Sequence, residues 1–221
     1  ILRKNKRNMS IENDKLQYQK NFENLRKIRD LKDGPHGIVS LYEDPSNSQK
    51  IAIKTLYYSN VNDQEVEKAF QNEISALIEL KHKCILPIYG YSLPIPSTQD
   101  TLAIPPKIGT IYAENGSLAD IFDSIKKGTK PSFVDDTWMA TTTIGIILGM
   151  KHIHSKKWIY RDLKPSNILI DERGYPLIGD LGSSRFVDLN VTYTKMVGSP
   201  FYMAPEMYDE GKYTNKVDSY S

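Results

Sequence analysis

The stretch WIYRDLKPSNILIDERGYPLIGDLG, running from Trp158 to Gly182, sets three polar side chains on turns between apolar, strand-like runs: Asp162, Asn167 and Asp180. Pro165 has no N–H and disfavours α geometry at Lys164, so residues 162–167 are expected to form a loop. Ile168, Leu169 and Ile170 read as a buried strand, Asp171 to Gly174 supplies turn residues, and the chain returns through Leu177 and Ile178 to Asp180. Such a hairpin would bring Asn167 and Asp180 side by side. Two oxygen ligands beside a lone carboxylate and a lysine suit Mg2+-assisted phosphoryl transfer, the metal clamping phosphates while Asp162 accepts a hydroxyl proton.

Three motifs in this region carry a family resemblance. Tyr160-Arg161-Asp162-Leu163 followed by Asn167 resembles the eukaryotic protein kinase catalytic loop H-R-D-L-x-x-x-N. Asp180-Leu181-Gly182 resembles D-F-G, and Ala204-Pro205-Glu206 resembles A-P-E. Tyr160 stands where the family has His and Leu181 where it has Phe; both places are packing positions that an aromatic or aliphatic side chain can fill. The resemblance implies an α+β, two-lobed protein kinase fold with a β-rich N-lobe and a helical C-lobe. It implies the catalytic pair Asp162 and Lys164, with Mg2+ held by Asn167 and Asp180, and ATP as the phosphoryl donor. Lys164-Pro165-x-Asn167 resembles the serine/threonine version of the loop, and the stretch around Asn115-Gly116-Ser117-Leu118 looks closer to the tyrosine-kinase-like group. Protein substrates with serine or threonine acceptors are implied.

Working back toward the N-terminus, Leu31 to Val39 (LKDGPHGIV) resembles the glycine-rich loop, with Lys32 at the first glycine position and Gly34 and Gly37 at the second and third. Ile51-Ala52-Ile53-Lys54 resembles V-A-I-K, which makes Lys54 the implied contact to the α and β phosphates. Apolar residues at helical spacing (Val66, Phe70, Ile74, Leu77) place a helix over residues 66–80, with Glu73 as the implied partner of Lys54. Residues 108–118 resemble the strand and hinge between the lobes. Thr110 then stands behind the adenine, Ile111 and Ala113 offer backbone groups to it, and Ser117 or Asp120 meets the ribose. The implied nucleotide set is completed by Asp33, Val39, Ala52 and Leu169. The N-lobe is expected over about residues 25–111, the hinge over 111–116 and a partial C-lobe over 117–221.

Towards the C-terminus, residues 183–203 resemble the activation segment, with Thr192 and Thr194 as phosphate acceptors and Arg161 as the implied partner of such a phosphate. Gly198-Ser199-Pro200-Phe201-Tyr202 resembles the family's substrate-facing loop, and Asp218 its anchoring acid on the large central helix. The family's lower lobe continues beyond that helix, so the sequence is expected to be incomplete, and the 221-residue chain unstable or weakly active. A family arginine beyond residue 221 would pair with Glu206; without it Glu206 sits unpaired in a partly buried place or swings to solvent. A catalytically weak or inactive kinase-like interaction protein is the alternative reading.

Composition sets outer bounds. Hydrophobic residues make up 39% of the chain and charged residues 25%, as in a soluble globular protein, and a net charge of +2 gives no case for nucleic acid as a partner. The apolar run near Ile144 to Met150 is far below the ~20 residues of a membrane span, and no secretory signal is visible. The single cysteine, Cys84, cannot form an internal disulfide, in keeping with a reducing compartment and a cytoplasmic location. Residues 1–24 are polar, with Arg3, Lys4, Lys6 and Arg7 at the start; they read as a solvated tail or mobile helix, or else as a patch for an anionic partner. The first residue is Ile1, so an upstream segment is expected to be missing. His82, Cys84, His152 and His154 are expected to be structural rather than metal ligands, because no acidic partner accompanies them in sequence.

Overall fold

Arg26–Gly34, Gly37–Asp44 and Gln49–Leu56 form three antiparallel strands, β1 to β3. In β3 the period of two is clean: Ile51 and Ile53 are fully buried on one face while Ala52 and Lys54 point to the other. β4 (Ile88–Ser92) and β5 (Lys107–Ile111) complete a five-stranded sheet in the order β1-β2-β3-β5-β4. Helix α1 (Gln64–Glu79) packs its apolar side, Phe70, Ile74, Leu77 and Ile78, onto this layer. These elements form the first of two compact units, Ile1–Glu79 with Pro87–Tyr112. The computed structural model describes residues 14–34, 37–57, 64–95, 103–187, 198–208 and 213–221. The basic cluster at Arg3 to Arg7 and the acceptors Thr192 and Thr194 lie outside the described residues.

The second unit comprises Leu80–Leu86 and Ala113–Ser221. Helix α2 (Leu118–Lys126) begins at a capping box: the Ser117 hydroxyl accepts from the Asp120 N–H at 3.2 Å and donates to its carboxylate at 2.6 Å. Helix α3 (Asp136–Ser155) is capped by Asp135, whose carboxylate accepts the Trp138 N–H at 2.6 Å. After α3 the chain forms β6 (Trp158–Ile159), a 3-10 turn at Pro165–Asn167, and the hairpin of β7 (Ile168–Ile170) with β8 (Pro176–Ile178). Pro165 acts as expected: Lys164 is extended, and the proline opens the 3-10 turn where its missing N–H costs nothing. β9 (Arg185–Phe186) pairs with β6, and a short helix α4 (Val217–Tyr220) ends the chain. Around β6 lies a core of Ile159, Met203, Ala204, Met207, Tyr213 and Val217.

Two expectations change, and one of two alternatives is selected. Part of the polar N-terminal segment, expected to be solvated, docks on the sheet: Phe22 is 6% exposed and Lys20 donates its backbone N–H to the Tyr91 carbonyl at 2.8 Å. His154 does have an acidic partner, since its Nε2 lies 2.8 Å from the Asp218 carboxylate, 64 residues further along the chain. Glu206 takes the second of its two expected positions and is exposed to solvent, so no cost of a buried unpaired carboxylate arises.

Candidate active site

In the first unit the cross-strand register gathers the implied nucleotide residues onto one sheet face. Lys32 pairs with Val39, Val39 with Lys54, and Ala52 with Thr110, so Val39, Ala52, Lys54 and Thr110 point the same way. Lys54 Nζ donates to both carboxylate oxygens of Glu73, at 2.9 and 3.2 Å, and the Glu73 side chain is only 9% exposed. A buried carboxylate held by a lysine in this way fixes the ammonium in place, leaving its charge available to an anion. Gly34 and Gly37 form the closing pair of the β1–β2 hairpin. Lys32 and Asp33 are exposed beside them, and Asp33 accepts a hydrogen bond from the Tyr57 hydroxyl. The Ile111 N–H is spent on the Pro87 carbonyl, at 3.1 Å.

In the second unit Asp162 is the centre of a dense set of bonds. Its Oδ1 accepts the Ser199 N–H at 2.8 Å, and its Oδ2 accepts from Lys164 Nζ at 2.7 Å and from Asn167 Nδ2 at 2.8 Å. A carboxylate offers about four lone-pair sites; three are used, which orients the group and leaves room for one more donor. Lys164 Nζ also donates to the Ser199 hydroxyl. The approach of Ser199 depends on Gly198, whose φ is +113° and where a Cβ would stand 2.4 Å from the Arg161 carbonyl oxygen.

The loop is fixed from behind. Asp218, on α4, accepts the backbone N–H groups of Tyr160 at 2.9 Å and Arg161 at 2.7 Å, besides its contact with His154. Arg161 sits at φ +73°, a left-handed conformation that costs a non-glycine residue about 1–3 kcal/mol. Its side chain is buried and donates through Nε to the Ser183 carbonyl and through Nη1 to the Tyr213 hydroxyl. The expected phosphate partner thus already binds its own chain at both of these atoms.

The β7–β8 hairpin does what its turn residues suggested. Ile168 pairs with Ile178, and the Gly179 N–H donates to the Asn167 carbonyl at 2.9 Å, so the residues preceding Asp180 are tied to Asn167. Asp180 itself is exposed and left-handed, at φ +45°. Both departures from the family pattern are fully buried: Tyr160 and Leu181 have no exposed surface. Tyr160 adds something the sequence did not announce, because its hydroxyl donates to the Gly179 carbonyl, next to Asp180. Burial, with the Asp180 and Asp162 charges nearby, pushes the phenol well above its ordinary range and keeps it a donor.

The remaining nucleotide positions fall as follows. Leu169 bridges Ser117 across an antiparallel contact, and Ala113 is buried, its carbonyl accepting the Gly116 N–H. The Ser117 hydroxyl is committed to Asp120 in the helix cap.

The donor set fits Mg2+. Asn167 gives its amide N–H groups to the Asp162 carboxylate and carbonyl, which leaves its side-chain oxygen as the atom able to ligate, and Asp180 supplies a carboxylate. No cluster of three or more His, Cys, Asp or Glu able to hold a metal occurs among the described residues. No helix among the described residues is long and apolar enough to cross a membrane.

Comparison with known proteins places the chain in a family. The protein kinase domain matches residues 25–221. The chain is 31% identical over 197 residues to rat serine/threonine-protein kinase TAO2, covering 88% of this chain and 15% of that protein. It is 27% identical over 192 residues to the probable serine/threonine-protein kinase nek2 of Dictyostelium discoideum, covering 85% of this chain and 44% of that protein. A third relative, serine/threonine-protein kinase STE20 of Yarrowia lipolytica, is 31% identical over 206 residues, 90% of this chain and 16% of the relative. The chain thus spans well under two thirds of each of these relatives. With that domain matched over residues 25–221, the chain belongs to the protein kinase domain family.

Proposed function

We propose that this chain transfers the γ-phosphoryl group of Mg·ATP to serine or threonine hydroxyls of protein substrates. The observation that carries the reading is the Asp162 carboxylate, oriented by Ser199, Lys164 and Asn167 with one acceptor site to spare. In this role Asp162 accepts the hydroxyl proton of the acceptor, and Lys164 balances charge on the group in flight. Asn167 and Asp180 hold Mg2+, which when bound neutralises phosphate charge. Lys54, held by Glu73, fixes the α and β phosphates, and the hairpin of Lys32, Asp33, Gly34 and Gly37 covers them. By the family resemblance, Val39, Ala52, Thr110 and the Ile111 backbone are the adenine residues of the first unit, and Leu169, the Ala113 backbone and Ser117 are the nucleotide residues of the second. The Lys164-Pro165-x-Asn167 stretch, which resembles the serine/threonine form of the loop, supports a serine or threonine acceptor. The lone Cys84 suits a reducing compartment such as the cytoplasm.

Incorporation of labelled phosphate into a generic protein substrate, followed by phosphoamino-acid analysis, tests this. Phosphoserine and phosphothreonine are expected, with incorporation lost in Lys54→Met. Phosphotyrosine alone would overturn the acceptor assignment. A Lys54→Met variant as active as the parent would overturn the phosphate role.

A further inference from the structure

The sheet of the first unit has two faces with different uses. Val39, Ala52, Lys54 and Thr110 occupy one; Ile51, Ile53 and the glycine pair Gly90–Gly109 occupy the other. Residues 18–22 run over the second face. A Cβ on Gly90 would stand 2.8 Å from both the Lys20 side chain and the Tyr18 carbonyl oxygen, and one on Gly109 would stand 3.0 Å from the Phe22 ring. Two glycines paired across adjacent strands therefore make a recess that the segment fills. Phe22 closes it, joining Ile51 and Ile53 in one buried cluster. Gln19 bridges Tyr91 in parallel register, and Lys20 Nζ lies 3.8 Å over the Tyr89 ring.

From this seat two routes lead to α1. The first is direct: Lys15 Nζ donates to Gln71 Oε1 on α1 at 3.1 Å. The second passes through β4. The Tyr91 carbonyl takes the Lys20 N–H, and the Tyr91 ring packs edge-on against Phe70 of α1, with centroids 6.2 Å apart. Phe70 and Gln71 lie within one turn of Glu73, the residue that holds Lys54.

We infer that residues 15–22 are a strap that positions α1, so that Lys15, Lys20 and Phe22 act through Gln71 and Tyr91 to hold Glu73 against Lys54. This rests on the reading of Lys54 and Glu73 as the phosphate-anchoring pair. The family match begins at residue 25, so the strap lies ahead of the matched region. Kinase activity is thereby made sensitive to whatever precedes or displaces that segment.

The test uses the full chain, with Lys15→Met as a mild variant, Gly90→Val to fill the recess, and Glu73→Gln as the reference. Amide hydrogen exchange without nucleotide is read at residues 64–79. Lys15→Met is expected to raise exchange there about 2–10-fold, the range for losing one hydrogen bond, and Gly90→Val to raise it at least as much, both leaving the β2–β3 hairpin unchanged. Kinetics with Mg·ATP are then compared in two backgrounds. In the parent, Lys15→Met is expected to lower kcat/KM by a similar factor; in the Glu73→Gln background it should lower it no further. Equal losses in both backgrounds, or unchanged exchange across α1 in both strap variants, would overturn the strap as a positioning element. Glu73→Gln with parental kcat/KM would instead sink the lysine–glutamate reading, and the inference with it.

Discussion

Asp162 and Tyr160 stand two residues apart and show two kinds of dependence. Asp162 is oriented by donors from three residues, so an asparagine at 162 retains the shape of the site but loses the proton acceptor. Asp162→Asn is expected to lower phosphate transfer about 10²–10⁴-fold, the usual range for a general base, with Mg·ATP affinity nearly unchanged. Single-turnover transfer and a separate nucleotide titration check it; a parental transfer rate would remove Asp162 from the mechanism. Tyr160 works through another residue. Its hydroxyl satisfies the buried Gly179 carbonyl next to the left-handed Asp180. Tyr160→Phe leaves that carbonyl unpaired and is expected to cost about 1–3 kcal/mol in stability. Urea unfolding measures this directly, and a loss below about 0.5 kcal/mol would show that the carbonyl finds another donor.

At the scale of elements, α3 and the segment before β4 meet through two histidines. The rings of His82 and His152 stack with centroids 5.0 Å apart, and His82 Nδ1 accepts the Cys84 N–H at 3.1 Å. His152 Nε2 is buried with no hydrogen-bond partner. Burial, together with the His82 ring and Lys156, holds the His152 imidazole below its ordinary 6.5. The unfolded chain therefore takes up this proton before the folded chain does. Stability from the neutral His152 imidazole is complete well above pH 6.5 and is lost as pH falls through the lower folded value. Melting temperatures between pH 7.5 and pH 5 should fall in the parent and fall less in His152→Phe, which keeps a stacked ring without the titration. Equal slopes would show that His152 is not the group responsible.

These contacts also mark what the sequence could and could not disclose. The catalytic loop, the hairpin behind it and β3 were readable because each is local: a proline, a turn and a period of two lie within a few residues of the side chains they place. The Asp162–Asn167 bond spans five residues, and the loop geometry that brings it about is written in Pro165. The contacts that escaped join distant segments. His154 and Asp218, Arg161 and Tyr213, and Lys20 and Tyr91 are each brought together by tertiary packing, with no periodicity to announce them. The recess under Phe22 needed two glycines that are neighbours only through strand pairing. The Tyr160 hydroxyl bond could have been suspected, since a buried tyrosine replacing another polar ring requires a partner for its hydroxyl.

For the molecule as a whole, the consequential surface is the outer side of α3. The helix is apolar around most of its circumference, a pattern that normally belongs to a helix covered on every side. One side is covered: Trp138, Thr142, Gly145, Gly149, Met150 and Ile153 are buried. On another, Ile144, Ile147 and Leu148 are 57%, 59% and 47% exposed, and their spacing of three and four residues puts them on a single stripe. Met139, at 41%, adds to the apolar area in contact with water. Contiguous apolar area of this kind drives self-association in a soluble chain. The 221-residue chain is therefore expected to associate as its concentration rises, seen by sedimentation velocity as a growing weight-average mass. The pair Ile144→Lys and Ile147→Glu should suppress that association. Because both side chains already face solvent, each change should alter stability by no more than about 0.5 kcal/mol. A double variant that still associates would place the sticky surface elsewhere. One that loses several kcal/mol of stability would show that these isoleucines pack in solution.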